Sequence, residues 1–421
     1  MINNHLKKLR NLGFFFPETI LFFVFILISF SILNYEKNFT NYIFTENLIN
    51  YEGGFVRRGF LGSIALFFFK TFDINPKLFF LTIYYFLYLL LIISFYHLIR
   101  SLKKENFHLS ILMILSPATL LFIVFDNGAL FRKEIFFILI FFVHVIIGKK
   151  TLEKKFNYNY YLKINLFFII PILLFNILIH EFQFFLLFFH YLINLVVLSF
   201  FKKQDKFFKN CYFFLTIIFI LTIFSGGETT VLEIENSLVT FIPEIRNDYG
   251  PTDMLNGNIN LVIGSFFKMI ISSKLTEFFQ VFLMFLFSVY LFLYIFNKLL
   301  EKNNYKPDKL KSYNCILVIY LFVTLLIFIV MAFDYGRLFH ILTMHIIGFY
   351  LIFPHRKFKF TPSSLSENFT FKIGIFSYFL FFSMPHAHIL MGKGSMFLNY
   401  GNGVINYLIQ NFEPVIQKIL S

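Results

Sequence analysis

Runs of about twenty apolar residues recur along the 421-residue chain, and no other feature restricts its fold as tightly. A helix rises about 1.5 Å per residue, so such a run spans the roughly 30 Å hydrocarbon core of a bilayer. It does so with every backbone polar group bonded inside the segment. The runs do not alternate apolar with polar residues, as the strands of a membrane barrel would. Charged residues are 14% of the chain, against about 25% in a soluble domain. That excludes an ordinary soluble enzyme, and 58% hydrophobic residues exclude a disordered chain. Two cysteines exclude a disulfide scaffold. The expected fold is all-α: one polytopic transmembrane helical bundle over 1–421, with about 11 spans (10–12) and added re-entrant or interfacial helices.

The first span is expected at 14–33, too long for a signal peptide and followed by no small-x-small cleavage site. Further spans are expected near 78–98, 108–125, 129–148, 164–180, 182–201, 211–225, 277–297, 314–333, 338–353 and 371–385. The stretches 59–72 and 259–273 are shorter and read as interfacial or re-entrant. Within 164–201 the two-span reading needs a tight turn at His180-Glu181, and one long tilted helix plus a re-entrant piece is the other reading. With the N-terminus on the cytoplasmic side, the inside segments hold 24 Lys/Arg against 7 Asp/Glu, and the remainder 13 against 16. The net charge of +14 is therefore a topology signal and a contact with anionic lipid, not a nucleic-acid footprint. This orientation puts the segments 35–77, 226–276 and 386–421 outside, on a multi-pass protein of a bacterial cytoplasmic (inner) membrane.

Polar residues gather at the outer ends of these spans. The first cluster is Tyr51-Glu52-Gly53-Gly54-Phe55-Val56-Arg57-Arg58-Gly59, and the second runs from Asp126 to Arg132-Lys133-Glu134. His180-Glu181-Phe182-Gln183 follows, then Arg246 and Asp248 in an acidic loop, Asp334-Tyr335-Gly336-Arg337, and His386 with His388. Gly53 and Gly54 permit positive φ and close backbone approach. Arginine forks take two phosphate oxygens each, so Arg57, Arg58, Arg132, Lys133, Arg246 and Arg337 are candidates for binding a phosphate. Charges inside a span cost roughly 2.5–3.5 kcal/mol each at its centre, so Arg132 and Lys133, placed one to two turns into a span, need a reason. If helix continues through Asn176, His180 and Gln183, the three share a face. Deeper polar residues are few: His144, His190, His345 and Asn176. No P-loop, GxGxxG, CxxC or zinc spacing is present, so no cofactor is implied and a divalent metal has no support from spacing.

Carboxylates and arginines together at an outer interface suit a substrate with a phosphate near the headgroups and a reacting hydroxyl beside it. The motifs Glu52–Gly59 and Asp334–Arg337, on a Phe/Ile-rich body of about eleven spans, resemble uncharacterised integral membrane proteins of bacterial surface-polysaccharide clusters. More distantly, the layout is similar to GT-C glycosyltransferases and O-antigen polymerases. The resemblance implies a membrane glycosyltransferase or polysaccharide polymerase that uses polyprenyl-(di)phosphate-linked sugars on the outer face. Its partners would be the polyprenyl-linked saccharide, membrane lipids and other polysaccharide-assembly proteins. By position in the first outer loop, it implies Glu52 as a catalytic residue; Glu52 is the first candidate for the base, and Asp334, Glu181 and His180 are the further catalytic candidates read from the clusters themselves. Gly53, Gly54, Asp126, Glu134 and Asp248 would support the site. A transporter of a lipid-linked sugar or other solute, and a non-catalytic subunit of an assembly complex, are the alternatives. A transporter calls for polar groups through the midplane; a scaffold subunit calls for outer arginines already paired off and no cavity.

Overall fold

The computed structural model describes residues 17–33, 41–100, 113–114, 119–125, 130–204, 206–226, 228–241, 255 and 335–353. Every regular element among them is helical: α1 (Pro17–Leu33), α2 (Asn41–Leu48), α3 (Gly59–Phe72), α4 (Pro76–Ile99), α5 (Leu120–Phe125) and α6 (Glu134–Leu152). There follow α7 (Tyr158–Ile179), α8 (Gln183–Phe201), α9 (Lys206–Ile223), α10 (Glu228–Leu238) and α11 (Tyr335–Leu351). Five of these, α4 and α6 to α9, are long and apolar enough to cross a membrane. Three shorter apolar helices, Glu18–Leu33, Gly59–Phe72 and His340–Leu351, accompany them. The chain is thus a helical membrane protein. The spans expected at 277–297, 314–333 and 371–385, and the stretch 259–273, lie outside the described residues, as does part of 108–125.

Local chemistry sets the ends of these helices. Asn75 caps α4 by accepting from the Lys77 amide, with Pro76 in the first turn, where a missing N–H costs nothing. Asn157 caps α7 in the same way through the Tyr160 amide. The α7 helix carries one π-turn at Asn165–Ile169. It stops at His180, whose backbone is extended (φ −162°, ψ 124°), and α8 starts three residues later. The tight turn at His180-Glu181 therefore exists. The same break removes the helical face expected to join Asn176, His180 and Gln183. Arg132 and Lys133 are also not inside a span: α6 begins at Glu134, after both.

Contacts along the helices fix their directions. Tyr84 packs on Phe131 and Phe136, while Phe95 stacks on Phe142, so α4 and α6 run parallel. Phe137 meets Phe182 and His144 meets His190, making α8 parallel to them as well. In α11 His345 stacks on Phe141, and Lys149 donates to the Leu351 carbonyl, giving the same direction again. The reverse direction belongs to α1 (Tyr96 to Glu18), α7 (Tyr161 to His144) and α9 (Phe219 to Phe184). One end of the bundle consequently collects Arg100, Lys149, Lys150, Lys154, Lys155 and Lys202 through Lys209. The other end collects Glu46, Arg57, Arg58, Arg132, Lys133, His180 and Glu181. At this second end α3 starts beside Phe175, near the close of α7, and finishes beside Phe79, at the opening of α4. It therefore lies across the end of the bundle. Gly62 allows this: a Cβ there would sit 2.1 Å from the Ile49 carbonyl oxygen.

Candidate functional site

The lysine-poor end holds a buried charge cluster built from four segments distant in sequence. Glu46 comes from α2, Arg57 and Arg58 from the turn before α3, Arg132 and Lys133 from the turn before α6, and His180 and Glu181 from the α7–α8 turn. Arg58 clasps Glu181 with its fork: Nη2 donates to Oε1 at 2.6 Å and Nε to Oε2 at 2.9 Å. Its Nη1 lies 3.5 Å from Glu46 Oε1, so one guanidinium spans both carboxylates. Arg132 Nη1 pairs with Glu46 Oε2, and the same guanidinium lies 5.3 Å from the centre of the Tyr42 ring. Arg57 approaches Glu181 at 3.9 Å, and the Lys133 ammonium donates to the Arg58 carbonyl at 3.3 Å. Four cations thus face two carboxylates in a place where Arg132 is 7% and Lys133 1% exposed.

The surrounding scaffold holds these groups in register. Asn47 donates to the Phe131 carbonyl at 3.0 Å and accepts from the Tyr84 hydroxyl at 2.8 Å. The Tyr88 hydroxyl donates to the Leu130 carbonyl at 2.6 Å. The turn bearing Arg132 and Lys133 is thereby tied to α2 and α4 through buried hydrogen bonds. Asn50 reaches Ser237 of α10 at 3.0 Å. Arg58 itself adopts a left-handed backbone (φ 67°), a strained geometry for a residue with a Cβ. That conformation aims its guanidinium inward while α3 departs.

Burial and charge act against each other here. Burial would raise the Glu46 carboxyl, but Arg132, Arg58 and Lys133 outweigh it and hold it well below the usual carboxylate range. Glu181 is likewise held far down, with Arg58 overcoming burial. Burial presses the Lys133 ammonium down to about 8, with Glu46 opposing and Arg58 reinforcing the fall. Burial and then Arg58 push His180 down to about 3. The hydrogen bonds agree, since His180 Nδ1 accepts from the Phe182 amide at 3.1 Å. The ring proton therefore sits on Nε2, 4.0 Å from Glu46 Oε1. A second proton on Nδ1 would have to displace that amide to reach Glu181 Oε2 at 3.4 Å.

The other sequence candidates fall elsewhere. Glu52 is not in the cluster: its carboxylate is exposed and pairs with Lys70 at 2.7 Å. Glu46, six residues earlier, takes the central place instead. Gly54 supplies the positive φ (106°), and Gly53 the close approach, since a Cβ there would lie 2.5 Å from the Thr230 carbonyl. Glu134 opens α6 and lines a narrow crevice of about 20 Å³ with Tyr88, Arg132 and His340, large enough for about one water. The backbone of Arg337 lies in the first turn of α11, at the cluster end of the bundle. Its side chain lies outside the described residues, together with Asp126, Arg246, Asp248, Asp334, His386 and His388. Among the described residues no group of three or more His, Cys, Asp or Glu is placed to hold a metal ion.

A second polar network crosses the interior of the bundle. His144 Nδ1 and His190 Nδ1 are 3.0 Å apart, and His144 Nε2 lies 3.2 Å from the Tyr161 hydroxyl. Tyr161 donates to Asn194 Oδ1 at 2.6 Å, and Asn194 Nδ2 donates to the Tyr212 hydroxyl at 3.0 Å. Because the Tyr161 proton goes to Asn194, a neutral His144 carries its own proton on Nε2 and accepts at Nδ1 from His190. Comparison with protein families, curated proteins and solved structures gave no match, so the chemistry of the site rests on its own geometry.

Proposed function

We propose that the protein is a membrane glycosyltransferase or polysaccharide polymerase acting on polyprenyl-(di)phosphate-linked sugars at the outer face of the cytoplasmic membrane. The observation that carries this reading is the excess of cations over carboxylates in a largely buried cluster at the lysine-poor end of the bundle. Arginines at that end run against the usual placement of basic residues in membrane proteins. A phosphate arriving from the lipid would exchange partners with the cluster. Arg57, Arg58, Arg132 and Lys133 would turn from carboxylate to phosphate oxygens, as fork-to-fork pairing allows. A carboxylate that loses its arginine becomes more basic, which Glu46 and Glu181 need in order to act. The acceptor hydroxyl oxygen then attacks the anomeric carbon and gives its proton to that carboxylate. The bond from the sugar to the phosphate oxygen breaks, and the electron pair leaves on a phosphate that the cations neutralise. The neutral His180 stands beside Glu46, its Nε2 4.0 Å from Oε1.

Arg57 provides the cleanest test, because its contact with Glu181 is the loosest of the arginine–carboxylate pairs in the cluster. Arg57→Gln should lower binding of polyprenyl phosphate to the purified protein by at least about tenfold, the scale of one charge-assisted bond. It should also remove the surface glycan that depends on this gene, with protein level unchanged. Normal binding and normal glycan in that variant would overturn the proposal. Two observations favour other readings. The pairing of Arg58 with Glu181 and of Arg132 with Glu46, next to a crevice the size of one water, favours a non-catalytic subunit. The buried His144–His190–Tyr161 network inside the spans favours a transporter. In both alternatives the glycan would still depend on the gene, but Arg57→Gln would leave it intact.

A further inference from the structure

At the lysine-rich end, a cleft of about 490 Å³ opens between the close of α8 and the start of α9. It has two kinds of wall. Lys203, Lys206 and Lys209 with Ser199 form a polar rim, and Leu195 with Leu198 an apolar inner side. The local backbone explains the shape. Lys202 takes a left-handed conformation (φ 53°), and the Lys203 amide returns to the Leu198 carbonyl at 3.0 Å. This closes α8 and swings the chain into the antiparallel α9. The Lys203 ammonium is held 5.8 Å from the centre of the Tyr158 ring. Residues 202–209 contain four lysines and one acid, Asp205, which lies outside the described residues.

One turn beyond Lys209 an apolar strip begins. Phe213, Phe214, Ile217, Ile220 and Leu221 of α9 are between 40% and 67% exposed. This strip suits acyl chains, and the lysines above it suit a phosphate. Two helices supplying one cleft separate the arrangement from ordinary snorkelling, in which the lysine stems of a single helix spread along its own surface. Here three exposed lysines line one open cleft with leucines behind it. Basic pockets between spans at the lysine-rich face are the usual receptors for anionic headgroups.

We propose that the α8–α9 cleft is a binding site for one anionic phospholipid, its headgroup phosphate among Lys203, Lys206 and Lys209 and its acyl chains along the outer face of α9. The proposal is independent of the charge cluster at the opposite end. The test is native mass spectrometry of the purified full-length protein exchanged into phosphatidylglycerol or phosphatidylcholine. The wild type should retain one more phosphatidylglycerol than the triple variant Lys203→Gln/Lys206→Gln/Lys209→Gln. Affinity in that variant should fall by at least about tenfold, since each lysine near an anionic surface contributes on the order of fivefold. Phosphatidylcholine retention should be equal in both. The control Lys154→Gln/Lys155→Gln, at the same end but outside the cleft, should keep wild-type affinity. Unchanged phosphatidylglycerol binding in the triple variant would overturn the proposal, and so would an equal loss in the control, which marks general surface charge. Full displacement of phosphatidylglycerol by millimolar inorganic phosphate would mark a site for free anions and would equally overturn it.

Discussion

Glu46 is the residue whose removal should be felt most, and Glu46→Gln is the change that isolates why. The glutamine keeps the shape and one acceptor oxygen but removes the charge that faces Arg132 and Arg58. Arg132 stays buried and loses its carboxylate without regaining water, while the largely covered Arg58 keeps Glu181. Breaking a buried pair from one side costs about 3–5 kcal/mol, because an uncompensated charge is left behind. The matched comparison is Glu52→Gln. That carboxylate pairs with Lys70 at 2.7 Å but in solvent, with side chains 42% and 59% exposed. Exposed pairs are worth about 0–1 kcal/mol. Thermal unfolding in one detergent should therefore separate two single-charge deletions only six residues apart. The double variant Glu46→Gln/Arg132→Gln should recover part of the loss, since it removes the stranded charge together with its partner. If Glu46→Gln and Glu52→Gln lie within about 1 kcal/mol of each other, the cluster is not the largely buried, interlocked unit described here.

Other outcomes follow from the same geometry. The downward shifts of His180, Glu46 and Glu181 mean that the unfolded chain binds more protons in acid. Their contribution to stability should be full above about pH 6.5, decline as the unfolded chain's histidine is charged, and drop more steeply below the ordinary carboxylate pKa of 4.5. His180→Gln should make the upper leg of that decline shallower and keep the lower one; an unchanged profile would refute the assignment. Lys133, pressed down to about 8, should add a rise in stability between there and its ordinary 10.5, which Lys133→Met makes smaller. Arg58→Gly should be more stable than Arg58→Ala by about 1 kcal/mol, because glycine accepts a φ of 67° without strain. Equal stability would mean that the backbone there is unstrained. Gly62→Ala should destabilise by about 1–3 kcal/mol through the Ile49 carbonyl, measured in the same unfolding assay.

The helical class was readable because apolar runs of spanning length have few other folds. The runs placed at 78–98 and 182–201 match α4 and α8 to within two residues. Placing Arg132 and Lys133 inside a span failed for a physical reason: apolar residues continue on both sides of them, and only tertiary hydrogen bonds from Asn47 and Tyr88 stop the helix at Glu134. The arginines stood out in the sequence because cations are rare at the lysine-poor ends of spans. Glu46 did not stand out. It sits in an eight-residue helix, Asn41–Leu48, with no apolar periodicity and no neighbouring charge. The one local signal was the pair of asparagines that follow it, Asn47 and Asn50, both buried and both used to fix backbone. Glu52 drew attention through the adjacent glycines, yet the turn they make leaves its side chain in solvent. His144 and His190 were legible as deep polar residues, but periodicity within a helix cannot tell which residue of another helix it will meet.

The claim on which the rest depends is that segments far apart in sequence bring Glu46 beside Arg132. Cysteine cross-linking measures that directly, in a background with Cys211 and Cys315 replaced by serine and the protein left in its membrane. The pair Glu46→Cys/Arg132→Cys should cross-link rapidly with a short thiol reagent, while Glu52→Cys/Arg132→Cys should not. Cross-linking through position 52 and none through position 46 would contradict the account.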